Sequence, residues 1–383
     1  VLGRGSVTQT TEDDVPNDVD RPRARDLGLA PGRLVPGRSN AITDVPGVRV
    51  GHTTLWIDED VRTGVTALFA HAADPFEQRV PAGLCVANGY GKLAGATQVL
   101  ELGELETPIV LTNTLSVPEA CSALIDWTLA QPVNGDVRSV NPFVAETNDG
   151  LLNDIRARHV RPEHVLAAMA AAATGAVDEG CVGAGTGTIA LGFKAGIGTS
   201  SRRLPPASGG ATVGVLVQAN YSGLLVADGL QVGARLRRTR LRCGSGAARG
   251  DAGEDGSVVV VIATDAPLAD RTLRRLAVRS MAGVARTGAA FAHGSGDYAV
   301  AFSTAEVVRR GDRGRAPAPG PTWPDERLTP LSQAVVEATE EAVLNALCRA
   351  VDTTGRAGLR VPALPLEEVR AMVKERERGD AST

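Results

Sequence analysis

Val258-Val259-Val260-Val261-Ile262, five β-branched residues in a row, constrain this chain more than any other stretch. A run of that length and composition, without polar alternation, predicts a strand buried on both faces. The residues before it, from Cys243 to Gly256, are Gly, Ala, Ser and charge, which predicts a loop. Ser257 therefore stands where a loop enters the core.

That position suits one kind of chemistry. The Ser257 hydroxyl can attack the Gly256 carbonyl in an N-to-O acyl shift, and hydrolysis of the ester leaves Ser257 as a new chain start. Gly256 tolerates the backbone angles and close approach that such an attack needs. The freed amine, with a pKa of about 8 in a model peptide, can then act as general base beside its own hydroxyl. Gly-Ser also leads loops into strands in proteins of every kind, so the dipeptide alone decides nothing.

Other candidates lie at predicted element ends. Thr212 to Ala219 reads as a strand ending in Asn220, whose amide is a suitable oxyanion donor or an ordinary turn residue. Asn113 to Ser116 falls between a short strand (Ile109 to Leu111) and a helix (Val117 to Leu129). There Asn113 is a candidate substrate contact, and Ser116 is more simply a helix N-cap. Glu146 and Asp149 are candidate carboxylate partners for a substrate ammonium group, or turn residues. Ser295 and Asp297, set among glycines before the strand Tyr298 to Phe302, could relay a proton to or from the Ser257 hydroxyl or amine.

Six segments in order carry a family resemblance: NAITDVPGVRVGHTT (Asn40 to Thr54), LTNTLSV (Leu111 to Val117), AETNDG (Ala145 to Gly150), VGVLVQAN (Val213 to Asn220), DGSVVVVIATDAPL (Asp255 to Leu268) and ARTGAAFAHGSGDYAVAFSTA (Ala285 to Ala305). They resemble the self-processing L-aminopeptidase/D-esterase and β-peptidyl aminopeptidase family, the serine N-terminal-nucleophile-type hydrolases of peptidase family S58. The resemblance runs from about Asn40 to about Ala350. It implies an α+β fold, a four-layer αββα sandwich in which a larger piece (39–256) and a smaller piece (257–383) stay together after cleavage, and a homotetramer of such units. It implies that Ser257 is the nucleophile, that Asn220 holds the oxyanion, and that Ser295 and Asp297 match the family's serine and acidic pair. Some members have Glu in place of Asp297. Members also carry a Tyr hydroxyl near Glu146, whereas no Tyr occurs between Asn141 and Asp154 here. The implied substrate is a peptide, amide or ester with a free amine, and no metal or organic cofactor is called for. Two alternatives remain: an acyltransferase of the ornithine acetyltransferase type, which uses Thr as nucleophile, and an unprocessed non-catalytic homologue.

Composition narrows the rest. A net charge of −4 gives no reason to expect nucleic acid or an anionic membrane as partner, and no apolar run approaches a membrane span. Residues 1–38 mix charge, Pro and Gly without periodicity and without a signal-peptide core. They predict a flexible or surface-draped arm on a cytoplasmic protein. Five scattered cysteines form neither a disulfide framework nor a CxxC metal pattern. Gly183 to Thr188 lacks the strand-to-helix unit of a dinucleotide site. The arginines at 235, 237, 238, 240 and 242 read as a solvated connector.

Overall fold

The computed structural model describes residues 21–238, 256–311 and 323–380. In chain order come β1 (Arg49–Ile57), β2 (Val61–Phe69), β3 (Gln78–Gly89), β4 (Leu93–Ala94), α1 (Ala96–Leu102), β5 (Glu104–Leu105), β6 (Ile109–Asn113), α2 (Val117–Leu129), β7 (Phe143–Thr147) and α3 (Pro162–Ala170). The hairpin β8 (Ile189–Ala190) and β9 (Phe193–Lys194), β10 (Ile197–Arg203), β11 (Thr212–Asn220) and the short α4 (Val232–Arg235) follow. Then come β12 (Ser257–Thr264), α5 (Asp270–Arg286), β13 (Gly296–Ser303), β14 (Arg310–Gly311), α6 (Leu328–Cys348), the hairpin β15 (Thr353–Thr354) and β16 (Arg360–Val361), and α7 (Leu366–Asp380).

Two sheets stack. One has the order β1-β2-β6-β7-β4; the other runs β10-β11-β12-β13-β3-β14, with β5 also paired to β3. The predicted strand at Ser257 is its centre, buried along its whole length. Alternation divides its side chains between two cores. Val259, Val261 and Ala263 meet Leu68, Leu111 and Phe143 of the first sheet, and Val258, Val260 and Ile262 meet α5 and α6 through Leu273, Leu276 and Leu331. A third apolar layer packs Val65, Ala67 and Val110 against α2 and α3. Helices, sheet, sheet, helices make the four-layer αββα sandwich.

Of the two readings of 1–38, flexible or surface-draped, the described residues 21–38 lie draped over the fold: Leu27 and Leu29 enter the helix-side core, and the Arg25 guanidinium forks onto Glu341 of α6 at 2.8 and 2.8 Å. Apolar residues and paired charges tie down a segment whose composition reads as loose. Strand β10 was not foreseen, because Gly198 to Arg203 offers no apolar run. It is buried nonetheless, since each polar group finds a partner. The fully buried Arg202 reaches Glu341 at 2.7 Å and Glu337 at 3.2 Å, and the Ser200 hydroxyl donates to Asn40 Oδ1 at 2.8 Å. The loop predicted from Cys243, together with Arg240 and Arg242, lies largely outside the described residues. Among the described residues no helix is long and apolar enough to cross a membrane.

Candidate active site

Three strand ends meet at Ser257. It opens β12, where it is the register partner of Asn220, the last residue of antiparallel β11, and of Gly296, the first residue of parallel β13. Alternation aims its hydroxyl, with Val259 and Val261, into the space between the sheets. A cavity of about 380 Å³ opens there, and Ser257, Gly256, Asn220 and Glu146 line it.

Asn220 Nδ2 lies 3.4 Å from Ser257 Oγ and donates to the Asn148 carbonyl at 2.9 Å, while its Oδ1 accepts from the Ile189 amide at 3.0 Å. Bonds at both ends of the side chain fix which way the amide points. The carbonyl of Gly256 accepts from the Gly296 amide at 3.2 Å. No side chain fits at Gly256, where a Cβ would lie 2.7 Å from Tyr221 Cα.

Glu146 ends near the opposite wall. Its Oε1 accepts from the Lys92 amide at 2.8 Å and its Oε2 from the Thr114 hydroxyl. Burial raises its pKa above the ordinary value, opposed by these two bonds and by the charge of Lys92. A desolvated carboxylate on a cavity wall attracts a cation more strongly than one in water. No Tyr follows it closely in sequence, yet two phenols come near: Tyr90 lines the cavity, and the Tyr298 ring and Glu146 both lie against Gly91.

The other candidates are placed differently. The side chain of Asn113 caps the turn after β6, accepting from Leu115 N and Ser116 N at 3.1 Å each and donating to Thr63 Oγ1 at 2.8 Å. The N-cap expected of Ser116 is thus supplied by Asn113. Asp149 is fully buried, bonded to Asn153 Nδ2 at 3.0 Å and to Thr63, and desolvation pushes its pKa up to about 7. Neither Asn113 nor Asp149 lines the cavity. Ser295 Oγ donates to Asp297 Oδ1 at 2.6 Å. Asp297 shares its face with Ala299 and Ala301, toward the helices, and its carboxylate takes a backbone hydrogen bond from Val258, the residue after Ser257 on the paired strand. A bulge in β3 opposite Asp297 lets Asn88 Nδ2 donate to the carbonyls of Ala292 and Ser295, which pins this turn.

The chain has relatives among known proteins. The profile of Peptidase family S58 matches residues 40–361. The chain belongs to this family. It is 42% identical over 376 residues to the beta-peptidyl aminopeptidase BapA of Sphingosinicella microcystinivorans, covering 93% of each chain. It superposes on a beta-aminopeptidase from Burkholderia sp. with a TM-score of 0.83 at 42% identity, covering 92% of this chain and 98% of that one. The L-aminopeptidase D-Ala-esterase/amidase of Ochrobactrum anthropi, described as a variant of the Ntn hydrolase fold, gives 0.83 at 38% identity, with 94% and 99% covered. Membership of S58 makes the chain a peptide-bond hydrolase of the aminopeptidase kind. Sequence reasoning had passed over several residues of this site: Lys92 and Thr114, which hold Glu146, and Asn148, which orients Asn220. Each acts through a neighbour distant in sequence, so no local pattern marks it.

Proposed function

We propose that this member of S58 is a self-processing serine aminopeptidase, which cuts its own Gly256–Ser257 bond and then releases N-terminal residues from peptides, amides or esters with a free amine. The observation that carries this reading is the convergence of a hydroxyl, an amide donor and a desolvated carboxylate, Ser257, Asn220 and Glu146, on one cavity.

In the first reaction Ser257 Oγ adds to the Gly256 carbonyl carbon, whose oxygen already accepts from the Gly296 amide. The C–N bond breaks, its electron pair stays on the Ser257 nitrogen, and that nitrogen takes the hydroxyl proton. Water hydrolyses the ester, leaving a carboxylate on Gly256 and an amine on Ser257. In the second reaction that amine accepts the hydroxyl proton as Oγ adds to the substrate carbonyl, and Asn220 Nδ2 stabilises the oxyanion. The departing amine takes the proton, and water releases the acyl group by the same steps. Glu146 holds the substrate ammonium group. In this scheme Ser295 and Asp297, on the paired strand beside Ser257, share with its freed amine the handling of the proton.

Intact mass under denaturing conditions, with hydrolysis of an aminoacyl amide, tests the scheme. Wild type should yield a fragment beginning Ser-Val-Val-Val-Val and turn over the amide; Ser257→Ala should remain whole and inactive. Equal turnover by the two proteins would refute it.

A further inference from the structure

The hairpin of β15 and β16 brings Arg356 to the wall of the cavity that Ser257 and Glu146 line. Its backbone is fixed at three points. The Arg356 amide donates to Leu152 O at 2.9 Å, the Ala357 amide to Asp60 Oδ1 at 3.1 Å, and Arg62 Nε to Thr354 O at 3.0 Å. Gly355 is pressed so closely to the turn after β7 that a Cβ there would lie 2.2 Å from Leu152 O, and Ala357 adopts a left-handed conformation at φ 56°. The Arg356 guanidinium has no hydrogen-bond or ion-pair partner among the described residues, whereas Arg360 on the same hairpin pairs with Asp352 at 2.8 Å. The exposed Arg356 thus stands on an anchored backbone at the cavity wall, its planar fork unpaired among the described residues, and carboxylates match such a fork with two parallel hydrogen bonds.

We infer that Arg356 forms a subsite for a substrate carboxylate, so that the enzyme selects compact zwitterionic peptides with their amine at Glu146 and an acid group at Arg356. The inference rests on the reading of Glu146 given above and adds the substrate class. The cavity volume of about 380 Å³ falls at the small end of ligand sites, which suits a peptide of few residues. Lys92 is the other cation on the wall. Its amide is tied to Glu146, and its ammonium acts on that carboxylate, which it helps keep ionised. Its single flexible charge lacks the anchored fork of Arg356.

The test compares kcat/KM for Ala-Ala, Ala-Ala amide and Ala-Asp amide in wild type, Arg356→Gln and Lys92→Gln. Wild type should prefer Ala-Ala to its amide by roughly tenfold or more, the range of one charge-assisted hydrogen bond. Arg356→Gln should abolish that preference while still hydrolysing the amide, and Lys92→Gln should keep it. Recovery with Ala-Asp amide would assign the subsite to an acidic side chain; no recovery would assign it to the terminal carboxylate. Equal rates on acid and amide in wild type, or a preference that survives Arg356→Gln or vanishes with Lys92→Gln, would overturn the inference. If no peptide is hydrolysed, the aminopeptidase reading fails by itself, and calorimetric binding of the same three peptides to the same three proteins then decides on Arg356. A charge preference lost with Arg356→Gln sustains the subsite; equal binding, or none, removes it.

Discussion

Asn220 and Ser257 face each other across antiparallel strands as register partners, with Nδ2 of one 3.4 Å from Oγ of the other. Nδ2 donates to the Asn148 carbonyl and also reaches Ser257 Oγ, so in the proposed reaction this amide stands beside the oxyanion formed at Oγ. Loss of a single such donor costs about 10²–10³ in kcat. Asn220→Ala should therefore lower kcat by that factor with KM little changed. Steady-state kinetics would check it; a variant affected only in KM would move Asn220 from transition-state to ground-state binding.

Glu146 must be ionised to hold an ammonium group, and burial has raised its pKa. As pH falls through that raised value the carboxylate gains a proton and binding is lost, so the acid limb of kcat/KM should lie above the ordinary glutamate range. Glu146→Gln should lose roughly 10–100-fold in kcat/KM on substrates with a free amine, the range of a charged hydrogen bond, and should lack that limb. The pH profiles of the two proteins make the comparison.

Gly256 has no room for a side chain, with Tyr221 Cα 2.7 Å from the position of a Cβ. Gly256→Val should push the carbonyl off the Gly296 amide and arrest self-cleavage, while the described sandwich, whose cores do not include Gly256, still folds. Intact mass and circular dichroism would be read together; rapid cutting of the variant would show that this alignment is dispensable.

Asp149 makes a prediction about stability. Its pKa is about 7 in the folded protein against an ordinary 3.8, so between those values the folded state holds more protons than the unfolded chain, and stability falls as pH rises through this window. Asp149→Asn removes the charge that burial disfavours. With each pH unit worth about 1.4 kcal/mol, its gain over wild type at pH 8 should be of order 2–4 kcal/mol and should largely disappear near pH 4. Urea midpoints at the two pH values would measure it.

The central strand and the placing of Ser257 and Asn220 at its mouth were legible because they are local. Five β-branched residues announce β12, and Ser257 and Asn220 each stand at the end of an apolar run. Ser295 and Asp297 are two apart in sequence, but how they sit against Ser257 depends on the register of β13 against β12, a relation between distant segments. Asn113 and Asp149 misled for a physical reason: amides and carboxylates at a strand end also serve to satisfy buried backbone and hydroxyl groups, and both were taken up by Thr63 and adjacent turns. Arg356 lies on a hairpin about a hundred residues beyond Ser257, and only the folded chain brings it to the cavity.

The order β11-β12-β13-β3 threads the two strands that follow residue 256 between two that precede it. A break at Ser257 would thus yield pieces laced together like the fingers of clasped hands, each completing the other's hydrogen-bond ladder. Neither piece could shed its partner without dismantling a sheet. Assembly must then come before scission, and halves synthesised apart would each start with raw strand edges and half a core.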